Sequence, residues 1–197
     1  MIVVAVAVFG FLAIILSALA VPAVAGAITK AQMVHTLNNA RQIYFTTEVI
    51  NADNEAKGHP AIWPSTSGTS SSMAAFFNQL NFEQGDIERT LSAPGIKVKV
   101  EGERGAWAIH CHPNPAFRFY AVGDRPDDGM QVFISSFNVK CAPGSITIDK
   151  NAVPFGGKGG VILRKSGSGE SLSARILTQP AIQETIPKDQ AEAVNWK

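Results

Sequence analysis

Charge is missing from the first part of the chain. No Lys, Arg, Asp or Glu occurs from Met1 to Thr29, and Lys30 is the first charged side chain. The remainder carries all 17 basic and 16 acidic residues, a net charge of +1. A balance so close to neutral implies no partner recruited by bulk charge, and nucleic acid in particular is not expected. Cysteine is scarce: Cys111 and Cys141 are the two in the chain. Motifs of catalysis and cofactor binding are also missing. There is no G-x-S-x-G nucleophile turn, no P-loop and no C-x-x-C-H haem attachment. The last absence argues against a multihaem electron wire. No enzymatic site and no cofactor are expected.

What is present divides the chain in two. The run MIVVAVAVFGFLAIILSALAVPAVAGAIT is uncharged and apolar. About 20 such residues suffice to cross a bilayer as a helix. Three readings fit it. As a signal peptide it offers Ala18-Leu19-Ala20 and Ala23-Val24-Ala25, both of the small-x-small form. It has no basic region ahead of the apolar run, however. As a plain anchor it has its first basic residue, Lys30, after the span, which by the positive-inside rule turns the rest of the chain toward the cytoplasm. A cytoplasmic head conflicts with a disulfide between the two cysteines, and as the stem of a filament subunit the segment escapes that conflict if a short basic leader preceded Met1 and was removed.

The cysteines bear on the same question. In an exported chain Cys111 and Cys141 can form a disulfide, a closure worth about 3–4 kcal/mol in the loop-entropy model. In a reducing compartment they are two buried thiols. The disulfide is the expectation here.

Beyond Lys30 the pattern becomes that of an amphipathic helix. Met33, Leu37, Ala40 and Tyr44 recur at three- and four-residue spacing, and Ile43 and Ile50 extend the stripe. Lys30, Gln32, His35, Asn39, Arg41 and Glu48 are read as lying off it. The helix is expected to end at Asn51–Lys57, where Asn, Asp and Gly accumulate. From Met1 to Ala52 it measures roughly 78 Å at 1.5 Å per residue. Pro22 is expected to kink or locally melt it, with Gly26 a second weak point. The small residues Ala5, Ala7, Gly10, Ala13, Ala18, Ala20 and Ala23 permit close approach of other helices.

Several of these stretches resemble the type IV pilins and pseudopilins. The apolar run up to Pro22, followed by AVAGAITKAQMVHTLNNARQIYFTTEVINADNE, is similar to the N-terminal third of that family. Within it Leu37-Asn38-Asn39-Ala40-Arg41-Gln42-Ile43 matches a stretch of many bacterial pilin-like chains. Asn51-Ala52-Asp53-Asn54 and Gly58-His59-Pro60 continue the likeness; Leu91–Gly95 and Gly159–Lys165 extend it more loosely. The resemblance implies a leader trimmed by a prepilin peptidase and a mature chain beginning near Met1. It implies a helix interrupted by proline a little past twenty residues, where Pro22 stands. It further implies an extracellular filament of identical copies, assembled by inner-membrane machinery from a membrane-held precursor. Met1, Ala5, Gly10 and Pro22 are the assembly positions it suggests. One departure is Ala5, where the family usually has a glutamate that pairs with a neighbour's terminal amine. Such a loss occurs in some minor pseudopilins of type II secretion systems, which is the alternative within the class. A signal-anchored periplasmic binding or enzymatic domain is the alternative outside it.

The expected fold is α+β, a long helix packed on an antiparallel β-sheet head. Its parts are an apolar stem (1–29), an amphipathic second half (30–54) and a β-rich head with a C-terminal tail (55–197). In the head, Met73–Leu80 and Gly85–Leu91 read as short helices. Ile96–Val100, Ala106–Cys111, Phe117–Val122, Met130–Phe137, Ser145–Ile148 and Gly160–Leu163 read as strands. Ser65–Ser72 is a low-complexity loop. His110 and His112 share one face of a strand, but a third metal ligand is not evident. Asp124, Asp127 and Asp128 are better read as an acidic turn than as a calcium loop. Gly156–Gly160 reads as a flexible turn, and Phe9, Phe11, Tyr44 and Phe45 as packing residues rather than a conduction path.

Overall fold

One helix dominates. In the computed structural model, which describes residues 2–66, 72–124 and 129–194, helix α1 runs from Ile2 to Ala56. The side chains at 2–9, 12–14, 19 and 124 are outside the description, as is Met1. At 1.5 Å per residue α1 is about 82 Å long. It passes through Pro22 and Gly26 without interruption, so the helix does not melt at Pro22. A proline removes one backbone donor, and here the turns on either side keep the helical register across that single lost bond. The helix stops where expected: Lys57, Gly58 and His59 turn their amides back onto Asp53, Glu55 and Asn54, with Gly58 at φ +72.

The head is α+β, with all strand pairs antiparallel. Helices α2 (Met73–Gln79) and α3 (Gln84–Thr90) follow α1, and Ser72 caps α2 by accepting from Ala75. Strands β1 (Lys97–Glu101) and β2 (Ala108–His112) form one hairpin. The central sheet takes β3 (Phe117–Phe119), β4 (Val132–Ser136), β7 (Gly159–Arg164) and β8 (Gly169–Ser173) in the order β3-β4-β7-β8. Between them β5 (Val139–Ala142) and β6 (Ser145–Ile148) make a second hairpin. Two short helices, α4 (Ala174–Leu177) and α5 (Pro180–Gln183), lead into the tail. The one sheet expected is therefore a four-stranded sheet flanked by two hairpins. Every strand expected from alternation is present within a few residues of its expected bounds; β5 and β8 were not expected.

The second half of α1 packs on β7 and β8. Met33, Leu37, Ala40 and Ile43 are buried there, and Tyr44 is partly buried. Glycines on β7, on β8 and in the turn between them make the approach possible. A Cβ at Gly159 would stand 2.7 Å from the Met33 methyl, one at Gly169 2.7 Å from Leu37, and one at Gly167 2.7 Å from the Tyr44 ring. The expected flexible turn at Gly156–Gly160 is thus only half a turn, because Gly159 and Gly160 open β7 and are packed by neighbours.

Thr36 and Thr47 are fully buried on the same face of α1. Each returns its hydroxyl to the carbonyl four residues back, Gln32 at 2.9 Å and Ile43 at 2.8 Å. Asn39, expected off the stripe, is also buried. Its amide donates to the carbonyls of Arg89, in the last turn of α3, and Ser92, just beyond it, and so ties α3 to α1.

Beneath this lies an aromatic cluster. Phe76, Phe77, Phe119 and Phe133 are fully buried and meet edge to face at 5.7–6.5 Å. The tail is fastened to the edge of the sheet. The Gln190 side chain accepts from the Val132 amide and donates to its carbonyl, while Gln131 accepts from the Ala191 amide. Val194 donates to Phe119, and Ala193 bridges Tyr120.

Gly159 tests how the helix is seated. Its φ of +150 disfavours any side chain, and a Cβ would also meet the Ser173 backbone at 2.9 Å. Gly159→Ala is expected to destabilise the head by about 1–3 kcal/mol. Calorimetry of the full chain in detergent should show the melting temperature falling by roughly 3–10 °C.

Candidate functional site

The surface of α1 changes character along its length. The apolar stretch that begins at Ile15 has none of its window buried against the head. Among the described residues, eleven large hydrophobic side chains are exposed, and nine of them stand on α1. Six of the nine, Phe11, Ile15, Leu16, Val21, Val24 and Ile28, lie on the uncharged half. Gly10 and Pro22 are exposed there too, and a Cβ at Gly10 would meet nothing within 4 Å. The same holds for the small residues Ala18, Ala20 and Ala23, which are exposed. The stem therefore offers small and large apolar groups on all its described sides. Met1 and the side chain of Ala5 lie outside the described residues, so the structure places neither.

The other three are on the packed half and face away from the head. Val34 is 49% exposed, Phe45 61% and Val49 69%. At 100° per residue these positions fall within about 60° of one another, opposite the buried stripe. Phe45 was expected to be a packing residue, yet within the chain its ring meets only the edge of Tyr44 at 5.6 Å among the ring contacts described. Tyr44 itself packs on Phe133 and Trp63. The signal was in the sequence: Phe45 and Val49 are a half-turn off the Met33–Leu37–Ala40 stripe.

Where the stem meets the head there is a groove of about 720 Å³. Lys30, Met33 and Val34 on α1 form one wall, and Lys158, Ser171 and Ile176 belong to the other. Its floor reaches Ala25 and Gly26 on the uncharged half.

The two cysteines are free thiols, so the expected disulfide is absent. They stand in separate hairpins, and each has an apolar residue as its strand partner: Cys111 faces Val98 across β1–β2, and Cys141 faces Ile146 across β5–β6. Cys111 is half-buried, and burial raises its thiol to about 11. Cys141 is buried, and its thiol is pushed up to about 12 by the same cause. Around it runs a buried relay. The Cys141 amide donates to the Tyr120 hydroxyl at 2.9 Å, and the Ser135 hydroxyl donates to the Val139 carbonyl at 2.7 Å. The 3.0 Å bond between Tyr120 and Ser135 must then be donated by Tyr120, whose phenol burial holds well above its ordinary value. Every hydroxyl in the relay is satisfied, which suits a brace between β3, β4 and β5 and not an acid or base.

His110 and His112 share the exposed face of β2, with Cys111 turned the other way, as strand alternation requires. Among the described residues no three metal-ligating side chains converge. Asp127 and Asp128 lie outside the described residues, as does the side chain of Asp124.

Raised thiol values set a pH window. The folded head favours the neutral thiol of Cys141, so that stability is complete below the unfolded value of 9 and is lost as pH rises from there toward 12. Melting curves should therefore steepen their decline above pH 9, and Cys141→Ala should flatten the part of that decline owed to the thiol. A melting temperature of the native chain that is level from pH 9 to 11 would contradict the burial of these groups.

Comparison of the chain with protein-family models, with curated proteins and with solved structures finds no match.

Proposed function

We propose that this chain is a structural subunit of an extracellular, type IV pilus-like filament, polymerising through its N-terminal helix. One observation carries the reading. A single uninterrupted helix serves as the bare apolar stem and, in its second half, as a core element of the head. A domain that needs only to be tethered has no use for a stiff stem, since a flexible linker would do. A stem continuous with the core instead fixes the head's orientation to the stem, which a helical array of identical copies requires.

The physics of the stem supports two environments in turn. In a bilayer a lone helix satisfies its own backbone, and its apolar side chains face lipid. In a filament the same side chains face copies of themselves, with small residues such as Gly10, Ala18, Ala20 and Ala23 allowing close packing. The resemblance of the first sixty or so residues to pilins points the same way. Partners on this reading are other copies, the membrane before assembly, and the peptidase and inner-membrane machinery that process pilin-like chains. Ala5, where pilins usually carry glutamate, favours one narrower variant: a minor pseudopilin placed at or near a filament tip.

The outward face of the packed half separates filament from anchor. Phe45 and Val49 are mostly exposed and belong neither to the head core nor to the uncharged span. In a filament they meet a neighbour. Phe45→Ser with Val49→Ser is expected to lower the amount of chain recovered in filaments sheared from producing cells by tenfold or more, on the order of two lost apolar contacts. Membrane insertion and head melting should stay unchanged. Filaments that form as well as before would count against the reading, as would a chain found only as single copies in the membrane.

A further inference from the structure

The groove at the junction of stem and head has a composition that neither a bare anchor nor a filament core explains. Its two exposed cations, Lys30 and Lys158, come from different elements, α1 and the turn before β7. Among the described residues that line it there is no carboxylate. Ser171 and Ser173 on β8 add hydroxyls. Thr29 also lines it, but donates to the Ala25 carbonyl at 3.0 Å. The rest of the lining is apolar: Met33, and the exposed side chains of Val34 and Ile176.

Position adds a second argument. Lys30 is the first charge after the uncharged run, so it marks the level at which a membrane-held stem leaves the hydrocarbon. The floor of the groove, at Ala25 and Gly26, is continuous with the apolar surface below. An acyl chain lying along the stem would carry its headgroup into the space between the lysines.

We propose that this groove holds the headgroup of an anionic phospholipid while the chain is in the membrane. The phosphate sits between Lys30 and Lys158, with Ser171 and Ser173 as further donors, and the glycerol and first methylenes lie against Val34 and Ile176. Free phosphate would use the lysines but leave the apolar walls without purpose. The stem of a second copy would use the walls but set two lysines against an uncharged helix, desolvating them without a counter-charge. A phospholipid matches both halves. The proposal rests on the membrane stage of the filament reading.

The test is native mass spectrometry of the full chain in mild detergent, incubated with phosphatidylglycerol or with phosphatidylcholine of the same acyl chains. Phosphatidylglycerol adducts should be retained in preference. Each lysine near an anionic lipid surface is worth roughly fivefold in affinity, so Lys30→Gln with Lys158→Gln should weaken retention by about 30-fold. Lys97→Gln with Lys99→Gln, on β1 away from the groove, should leave it unchanged. Millimolar inorganic phosphate should not displace the lipid. Equal retention of the two lipids would overturn the proposal. So would undiminished binding by the Lys30/Lys158 variant at an unchanged melting temperature, or displacement by free phosphate. Failure here is distinct from failure of the filament reading: a chain that polymerises but does not distinguish the lipids loses only this site. One that binds phosphatidylglycerol through these lysines but never polymerises keeps the site and loses the filament.

Discussion

The seating of α1 on β7 and β8 is the contact on which the rest depends. It requires small residues on the sheet and its β7–β8 turn opposite large ones on the helix: Gly159 under Met33, Gly169 under Leu37, Gly167 under Tyr44. Close approach lets the helix bury Ala40 and Ile43 fully and turns a membrane-length rod into one wall of the head core. Asn39 then reaches α3, and Tyr44 reaches Phe133 and Trp63, so both flanks of the head are organised from the same helix. Without this seating the stem would hang from the head by a loop, and its direction would be undefined.

That rigidity gives the bare half of the helix its meaning. Exposed apolar surface on this scale is costly in water and marks a surface meant to be covered. On the proposed reading lipid covers it first and other stems cover it later. On the same reading the head must stay folded through the transfer. Its core is closed by the Phe76–Phe77–Phe119–Phe133 cluster, by the Gln131 and Gln190 clamps that hold the tail to β4, and by the Tyr120–Ser135 brace. None of these involves the stem. The junction groove sits between the two regimes, at the point where an apolar environment must give way to a charged one.

Much of this could be read from the residues. The uncharged run, the change to an amphipathic stripe at Met33 and the helix end near Ala56 follow from spacing and charge alone. So do most strands: alternation is strong in Lys97–Val100, and Val132–Ser136 is a short run buried on both faces. What escaped had physical causes. Strand β8 is Gly-Glu-Ser-Leu-Ser, an edge strand whose small residues serve the helix above it and give no apolar signal. Asn39 looked like a solvent-facing polar residue, because the carbonyls it satisfies lie fifty residues away. Thr36 and Thr47 count as apolar only once their hydroxyls fold back on the helix. Local melting at Pro22 did not follow, because one missing donor is tolerated where the helix continues on both sides. The disulfide was inferred from compartment and count, whereas pairing is decided by the distance and orientation of the two side chains in the fold.

Cryo-electron microscopy of filaments sheared from producing cells, with this sequence traced into the map, tests the central claim most directly. The account predicts a helical array whose core is made of the uncharged half of α1, with Phe11, Leu16 and Val24 against neighbouring stems, and the heads outside in one fixed orientation. A chain absent from every filament, and recovered from the membrane only as single copies, would contradict it.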